Sequence, residues 1–260
     1  MTHSFTRRAA SVLELRGLTL FTAIILMIGA TGCQNEGLSQ DEASYFEIET
    51  TLGSMVVRLY DETPIHRDNF RKLVADGFYD GTTFHRVIPQ FMIQGGDPNS
   101  KDDDPMNDGM GGPGYTQPAE FNVNLFHKRG ALAAARTGGP MNPERESSGS
   151  QFYIVVGRTV ENAYLDQLEA YQRGNLSPDY RVQDAAREAY TTVGGAPNLD
   201  MDYTVFGELV EGFDVLDRIV NVDTPARLGQ APGNDRPVEN VTMKVRALPD
   251  YTPPSASDQN

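Results

Sequence analysis

Two short runs near residue 45 alternate apolar and polar positions. In YFEIET, Phe46, Ile48 and Thr50 share one face and Glu47 and Glu49 the other; in SMVVRLY, Met55, Val57 and Leu59 fall together. Successive side chains of a strand point to opposite faces, so this period of two predicts half-buried strands. Leu52-Gly53 between them supplies a turn, and the pair predicts a β-hairpin. The period then changes. In TPIHRDNFRKLVADG, Phe70, Leu73 and Val74 share a helical face. Thr63 is the candidate N-cap, Pro64 suits the first helical position, and Gly77 ends the run. Further strands are predicted at 84–87, 91–94, 130–133, 152–156, 204–208 and 241–247, with a second short helix over 213–220. Many short strands with only two core helices predict a mainly β fold closed into a barrel, not a crossover sheet.

Residues 159–196 interrupt the strand pattern. Leu165, Leu168 and Tyr171 have helical spacing, and Gly174 is a breaker. Ser177-Pro178 opens a second helical stretch, DYRVQDAAREAY, which ends near Gly194-Gly195. This predicts a helical hairpin inserted into one domain over 45–250, followed by a disordered tail at 251–260.

The first residues have a different character. Arg7, Arg8 and Arg16 precede LTLFTAIILMIGATGC, residues 18–33. A basic start, a short apolar run and a small-residue end describe an export signal. The run is short for a span of about 20 residues. Its end, Ala30-Thr31-Gly32-Cys33, resembles the lipobox of bacterial lipoproteins, with Ala30 where that family prefers Leu. The resemblance implies a signal peptide over 1–32 and a diacylglyceryl group on the Cys33 sulfur. Several acyl chains, at about 0.8 kcal/mol per buried CH₂, would hold the protein firmly to a membrane of the bacterial envelope. Gln34 rather than Asp after the cysteine fits transfer to an outer membrane in the Gram-negative scheme. QNEGLSQDEAS, completing 33–44, reads as a flexible tether.

Charge narrows the functions. The 260 residues carry 22 Lys+Arg and 36 Asp+Glu, a net charge of −14. Such a chain repels phosphate backbones, which argues against nucleic-acid partners. With Cys33 the only cysteine, no intrachain disulfide or thiolate zinc site exists. GMGGPG at 109–114 follows an acidic loop rather than a strand, so it does not read as a dinucleotide loop. DPNSKDDDPMNDG fails the calcium-loop pattern, with Lys101 at its fifth position and no Gly at its sixth. His66 and His127 lack a second ligand at metal spacing and read as solvated or structural. No metal or cofactor is expected, and the protein is expected to be a monomer.

Residues 84–97 read FHRVIPQFMIQGGD. Arg86 stands among Phe84, Val87, Ile88, Phe91, Met92 and Ile93, with no acid before Asp97. Alternation sends His85 to the opposite face, as a structural hydrogen-bonding residue. A guanidinium keeps its charge at neutral pH, so it serves as a fixed donor, not a proton shuttle. One reaction needs no nucleophile, shuttle or metal: rotation about the peptide bond before proline. Its barrier of about 18–20 kcal/mol comes from amide resonance. A cation donating to the prolyl nitrogen would localise the lone pair and weaken that resonance, while an apolar pocket holds the ring. On the residues alone, Arg86 also reads as a surface arginine lying over an apolar strand, and Phe91, Met92 and Tyr153 as core.

Five blocks decide between these readings. FHRVIPQFMIQGGD, GGPGYTQPAEF (111–121), HKRGALAAAR (127–136), GSQFYIVVG (149–157) and YTVFGELVEGFDVLDRI (203–219) together resemble, in order, the cyclophilin-type peptidyl-prolyl cis-trans isomerases. The resemblance covers about 45–247 apart from the insertion. It implies a closed antiparallel eight-stranded barrel capped by two helices, acting on proline-containing polypeptides. It places Arg86 at the catalytic arginine and Gln94 at the glutamine that orients it. Phe91, Met92, Tyr153 (a phenylalanine with a hydroxyl added) and Leu199 fall in the proline pocket. Gln151, Ala135 and Arg136 fall on the groove, and Tyr203 where many eukaryotic members have histidine. Asn198 replaces the tryptophan with which those members bind cyclosporin, which implies weak inhibition. The combined expectation is a lipid-anchored isomerase assisting the folding of exported proteins. The alternative is a proline-peptide binding module or holdase chaperone with little catalysis.

Overall fold

The computed structural model describes residues 43–102, 104–230 and 234–253. The leader, Cys33, the tether up to residue 42 and residues 254–260 lie outside the described residues.

The predicted hairpin forms as β1 (Tyr45–Thr50) and β2 (Gly53–Leu59), with Thr50 facing Gly53. Gly53 adopts φ 126°, which L side chains rarely tolerate. The folded body reaches beyond both predicted ends. Ala43, assigned to the tether by composition, is fully buried and its carbonyl accepts from Arg71 Nε at 2.8 Å. Tyr251, assigned to the tail, donates its hydroxyl to Glu211 Oε1 at 2.6 Å and packs its ring 4.9 Å from Tyr45.

Helix α1 (Pro64–Ala75) buries His66, Phe70, Leu73 and Val74. Thr63 precedes it, but its hydroxyl makes no capping bond and is buried without a partner. Glu120 does the capping. Its carboxylate accepts from Ile65 N and His66 N, each at 3.0 Å, and meets His66 Nδ1 at 2.6 Å. An anion at this end also complements the helix dipole.

The remaining strands are β3 (Arg86–Ile88), β4 (Met92–Gly95), β5 (Thr116–Gln117), β6 (Ala131–Ala134), β7 (Ser147–Ser148), β8 (Phe152–Val155), β9 (Val205–Glu211) and β10 (Met243–Ala247). Eight of the ten form one antiparallel sheet in the order β10-β1-β2-β9-β6-β8-β4-β3, while β5 pairs with β7. The expected closed barrel is not formed. The sheet curls and stays open between its edges, β3 and β10. Between them lie an isolated bridge, Thr83 to Thr242, and backbone bonds from Phe84 N to Val241 O and Met243 N to Thr82 O. The ladder cannot extend because β3 is three residues long and its Val87 N donates instead to Asp235 O.

Each strand near the centre is apolar on both faces. Val87, Ile93, Phe152, Ile154, Leu132 and Phe206 face the main core, beside residues of α1 and of α4 (Phe213–Val220). Met92, Tyr153, Val155, Ala131, Ala133 and Val205 form a second cluster on the opposite face.

The insertion is a helical hairpin, as its spacing predicts, with shifted limits. Helix α2 (Asn162–Asn175) runs through Gly174, and α3 (Asp184–Thr192) begins well after Pro178. Leu165 is buried, but Tyr171 is exposed and Gln172 takes the inward position. Leu165, Val182, Ala186 and Tyr190 make a small core of their own against Phe126. The insertion's two limbs meet at Gly157 and Gly195. A Cβ on Gly157 would lie 2.3 Å from the Gly195 Cα.

Candidate active site

Register places the candidate residues on one face. Arg86 stands opposite Gln94, Gln94 opposite Tyr153, Tyr153 opposite Ala133, and Ala133 opposite Val205. Directly paired residues in a sheet point to the same side. One row therefore crosses five strands, polar at its β3 edge and apolar towards its middle. Met92, two residues from Gln94, joins it on the same face.

At the polar end a chain of side chains is held in place. Arg86 Nη1 donates to Gln94 Oε1 at 3.3 Å, and Gln94 Nε2 donates to Gln151 Oε1 at 3.0 Å. Gln151 Nε2 donates in turn to Gly109 O at 3.0 Å and Gly111 O at 2.8 Å. The glycine run at 109–111 thus anchors the second glutamine. Only glycine fits at Gly111, where a Cβ would meet Asp97 Oδ1 at 2.2 Å.

Arg86 is not free of acids as its sequence neighbourhood implies. Asp235 Oδ2 lies 3.8 Å from its Nε, beyond hydrogen-bonding range, with the two side chains 46% and 37% exposed. An exposed pair of this kind is worth about 0–1 kcal/mol. The Nη2 group has no partner among the described residues. Arg86 and Gln94 border a recess of about 340 Å³.

The apolar end is built from distant segments. Met92, Tyr153 and Leu199 are buried, and Phe91 and Tyr203 pack partly buried against them. The Tyr153 and Tyr203 rings meet edge-on, centroids 5.9 Å apart. Gln94 and Gln151, with Ala135 and Arg136, also line a longer groove of about 870 Å³. Arg136 has few donors left for a ligand. Its Nη2 reaches Asp202 Oδ2 at 2.6 Å, its Nε reaches Asp202 O at 2.9 Å, and its guanidinium lies 4.6 Å from the Tyr203 ring centre. Arg136 acts as a wall brace.

A buried network lies beneath the pocket, unseen in the sequence. The Tyr153 hydroxyl meets His127 Nε2 at 2.9 Å. His127 Nδ1 and His127 N both reach Asp200 Oδ1, at 2.8 and 2.9 Å. Tyr190, from α3 of the insertion, donates its hydroxyl to Asp200 Oδ2 at 2.6 Å. Burial holds the Tyr153 and Tyr190 phenols well above their usual pKa, so both remain donors at neutral pH. An imidazole that donates from Nδ1 to Asp200 and accepts at Nε2 matches a Tyr153 donor. The four residues form one consistent chain of donors and acceptors. Of the solvated and structural roles open to it from spacing, burial leaves His127 the structural one.

His85 turns to the opposite face from Arg86 and is buried, yet neither ring nitrogen has a hydrogen-bond partner in the described structure. Burial pulls its pKa down to about 4.

Comparison with known proteins shows the family and the fold on which this cation, glutamine relay and apolar cluster stand. The profile of the family "Cyclophilin type peptidyl-prolyl cis-trans isomerase/CLD" matches residues 45–246. The chain belongs to the cyclophilin-type peptidyl-prolyl cis-trans isomerases. A Staphylococcus haemolyticus protein named as a peptidyl-prolyl cis-trans isomerase is 35% identical over 209 residues, covering 79% of this chain and 91% of its own. A Streptococcus pyogenes protein named as a bifunctional phosphatase/peptidyl-prolyl cis-trans isomerase is 38% identical over 204 residues. That match covers 76% of this chain and only 37% of the streptococcal protein. Among solved structures, a Cryptosporidium parvum cyclophilin shares the fold at 23% identity and a TM-score of 0.56, covering 82% of this chain and 99% of its own.

Proposed function

We propose that Arg86 is the catalytic group of this isomerase and that its substrates are Xaa-Pro segments of exported proteins. The carrying observation is the Arg86–Gln94–Gln151 chain beside the cluster of Phe91, Met92, Tyr153, Leu199 and Tyr203. The proline ring seats against that cluster, and the guanidinium donates to the prolyl nitrogen. Donation localises the lone pair that gives the peptide bond its double-bond character. Gln94 aims the guanidinium, and Gln151 and Ala135 line the groove for the rest of the peptide. A similar C. parvum cyclophilin has been solved in the presence of the dipeptide Ala-Pro, which supports the choice of ligand. Uncatalysed rotation takes tens to hundreds of seconds, slow enough to limit folding.

The leader pattern and Cys33 support the second half of the proposal: export, lipid attachment at Cys33 and residence at an envelope membrane, with the isomerase acting as a monomer. Labelled palmitate should enter the wild-type chain and not Cys33→Ala, which should leave the membrane fraction. Unlabelled wild-type protein would end the anchor proposal. For the catalytic half, the purified chain in mild detergent should speed exchange between the cis and trans signals of an Ala-Pro peptide. Binding without faster exchange would establish the binding-module alternative.

A further inference from the structure

A third recess, of about 310 Å³, opens beside the pocket between the β3–β4 turn and the insertion. Phe91 belongs to its wall and to the apolar cluster. The Phe91 carbonyl accepts from Val156 N at 2.9 Å and Gly157 N at 3.0 Å, which ties the turn to the base of the insertion. Asn198, also in the wall, directly precedes Leu199 of the pocket. With consecutive Cα atoms about 3.8 Å apart, residues next to a proline seated against Phe91 and Leu199 lie within reach of this recess.

The recess is chemically one-sided. No Asp or Glu lines it. Arg158, exposed on its wall, has no ion pair or side-chain hydrogen bond among the described residues. Arg129 and Arg136, by contrast, each find a carboxylate. The side chains of Gln90, Tyr164 and Asn198 are likewise uncommitted among the described residues. Gln90 holds a left-handed backbone, φ 61°, where glycine would be unstrained, so its amide is kept at the rim against a conformational cost. A guanidinium, a phenol and two amides offer many N–H and O–H donors, and a carboxylate is the acceptor-only group that matches them.

We propose that this recess is a subsite for a carboxylate on the substrate, a side-chain acid or chain terminus close to the proline. It rests on the isomerase reading of the neighbouring cleft. The bulk charge of −14 attracts basic peptides, so acid preference here would run against the long-range field.

The test uses the full-length chain in detergent and proline peptides carrying Glu, Gln or Lys at each of the three positions on either side of the proline. Each is made with an amidated or a free C-terminus. Affinity comes from titration and turnover from exchange. At one or more positions Glu should be preferred over Lys by roughly three- to fivefold, the range of an exposed ion pair. Arg158→Glu should invert that ratio and Arg158→Gln bring it towards one, with native folding checked by the amide spectrum. A preference seen only with free C-termini assigns the subsite to a chain terminus and still supports it. Equal affinity for Glu and Lys peptides, or a ratio unchanged in Arg158→Glu, overturns the proposal. Should no peptide exchange faster, the isomerase mechanism fails, and the affinity ratio still decides the subsite.

Discussion

The link between the insertion and the apolar cluster around Tyr153 makes a quantitative prediction. Tyr190→Phe removes one hydroxyl, 2.6 Å from Asp200 Oδ2, and leaves the ring packed 5.7 Å from Phe126. No large cavity forms, so the cost is that of the hydrogen bond. Asp200 is 7% exposed, and water cannot easily replace the lost donor. A hydrogen bond to a charged group contributes about 1.5–3 kcal/mol. Urea denaturation at pH 7 should therefore show a loss of about 2 kcal/mol with an unchanged slope. Tyr153→Phe cuts the other end of the same chain, at His127 Nε2. Independent sites add within about 0.3–0.5 kcal/mol, whereas members of one network couple by about 0.5–3 kcal/mol. The double variant should show such coupling although Tyr153 and Tyr190 share no hydrogen bond. A Tyr190→Phe loss below about 0.5 kcal/mol, or simple additivity, would refute the network as a mechanical link.

Three further outcomes follow from the same structure. The pKa of His85 is lowered to about 4 by burial, so it lends stability that is full above its unfolded pKa and is lost as pH falls from about 6.5 towards 4. Stability curves should drop by roughly 3 kcal/mol across that window from this residue, and His85→Gln should flatten the drop; identical curves would refute it. Glu120→Ala leaves Ile65 N, His66 N and His66 Nδ1 without their acceptor and should cost about 1–3 kcal/mol in thermal or urea unfolding. Thr63→Ala, whose hydroxyl caps nothing, should cost far less. Cyclosporin should inhibit weakly because Asn198 lacks an indole donor; nanomolar inhibition would contradict this.

Local pattern carried much of the fold. The hairpin, α1 and α4 follow from periods of two and 3.6, because burial acts on each side chain where it stands; the central strands, apolar on both faces, show no such alternation. Closure was not readable in that way. It depends on whether residues 81–84 and 241–243 form a ladder or a single bridge, and Val87 N pairing with Asp235 O decides it. The helix cap was misread for a related reason. Thr63 is adjacent in sequence, but Glu120 supplies the charge. In the candidate site, Arg86 was legible as a cation in an apolar run, and Gln94 and Met92 through the resemblance carried by the same block. Asp235 and the Tyr153–His127–Asp200–Tyr190 chain were not, since only the fold brings those segments together. The role of the glycine run at 109–111 was hidden because its carbonyls, not its side chains, hold Gln151.

The most direct test of the central claim is exchange spectroscopy of an Ala-Pro peptide with wild type and with Arg86→Ala. One charge-assisted hydrogen bond contributes about 1.5–3 kcal/mol, and each 1.36 kcal/mol is a factor of ten in rate. Arg86→Ala should thus lose one to two decades of kcat/KM while the peptide still binds at the cluster of Phe91, Met92 and Tyr153. Wild-type rates in Arg86→Ala would contradict the account.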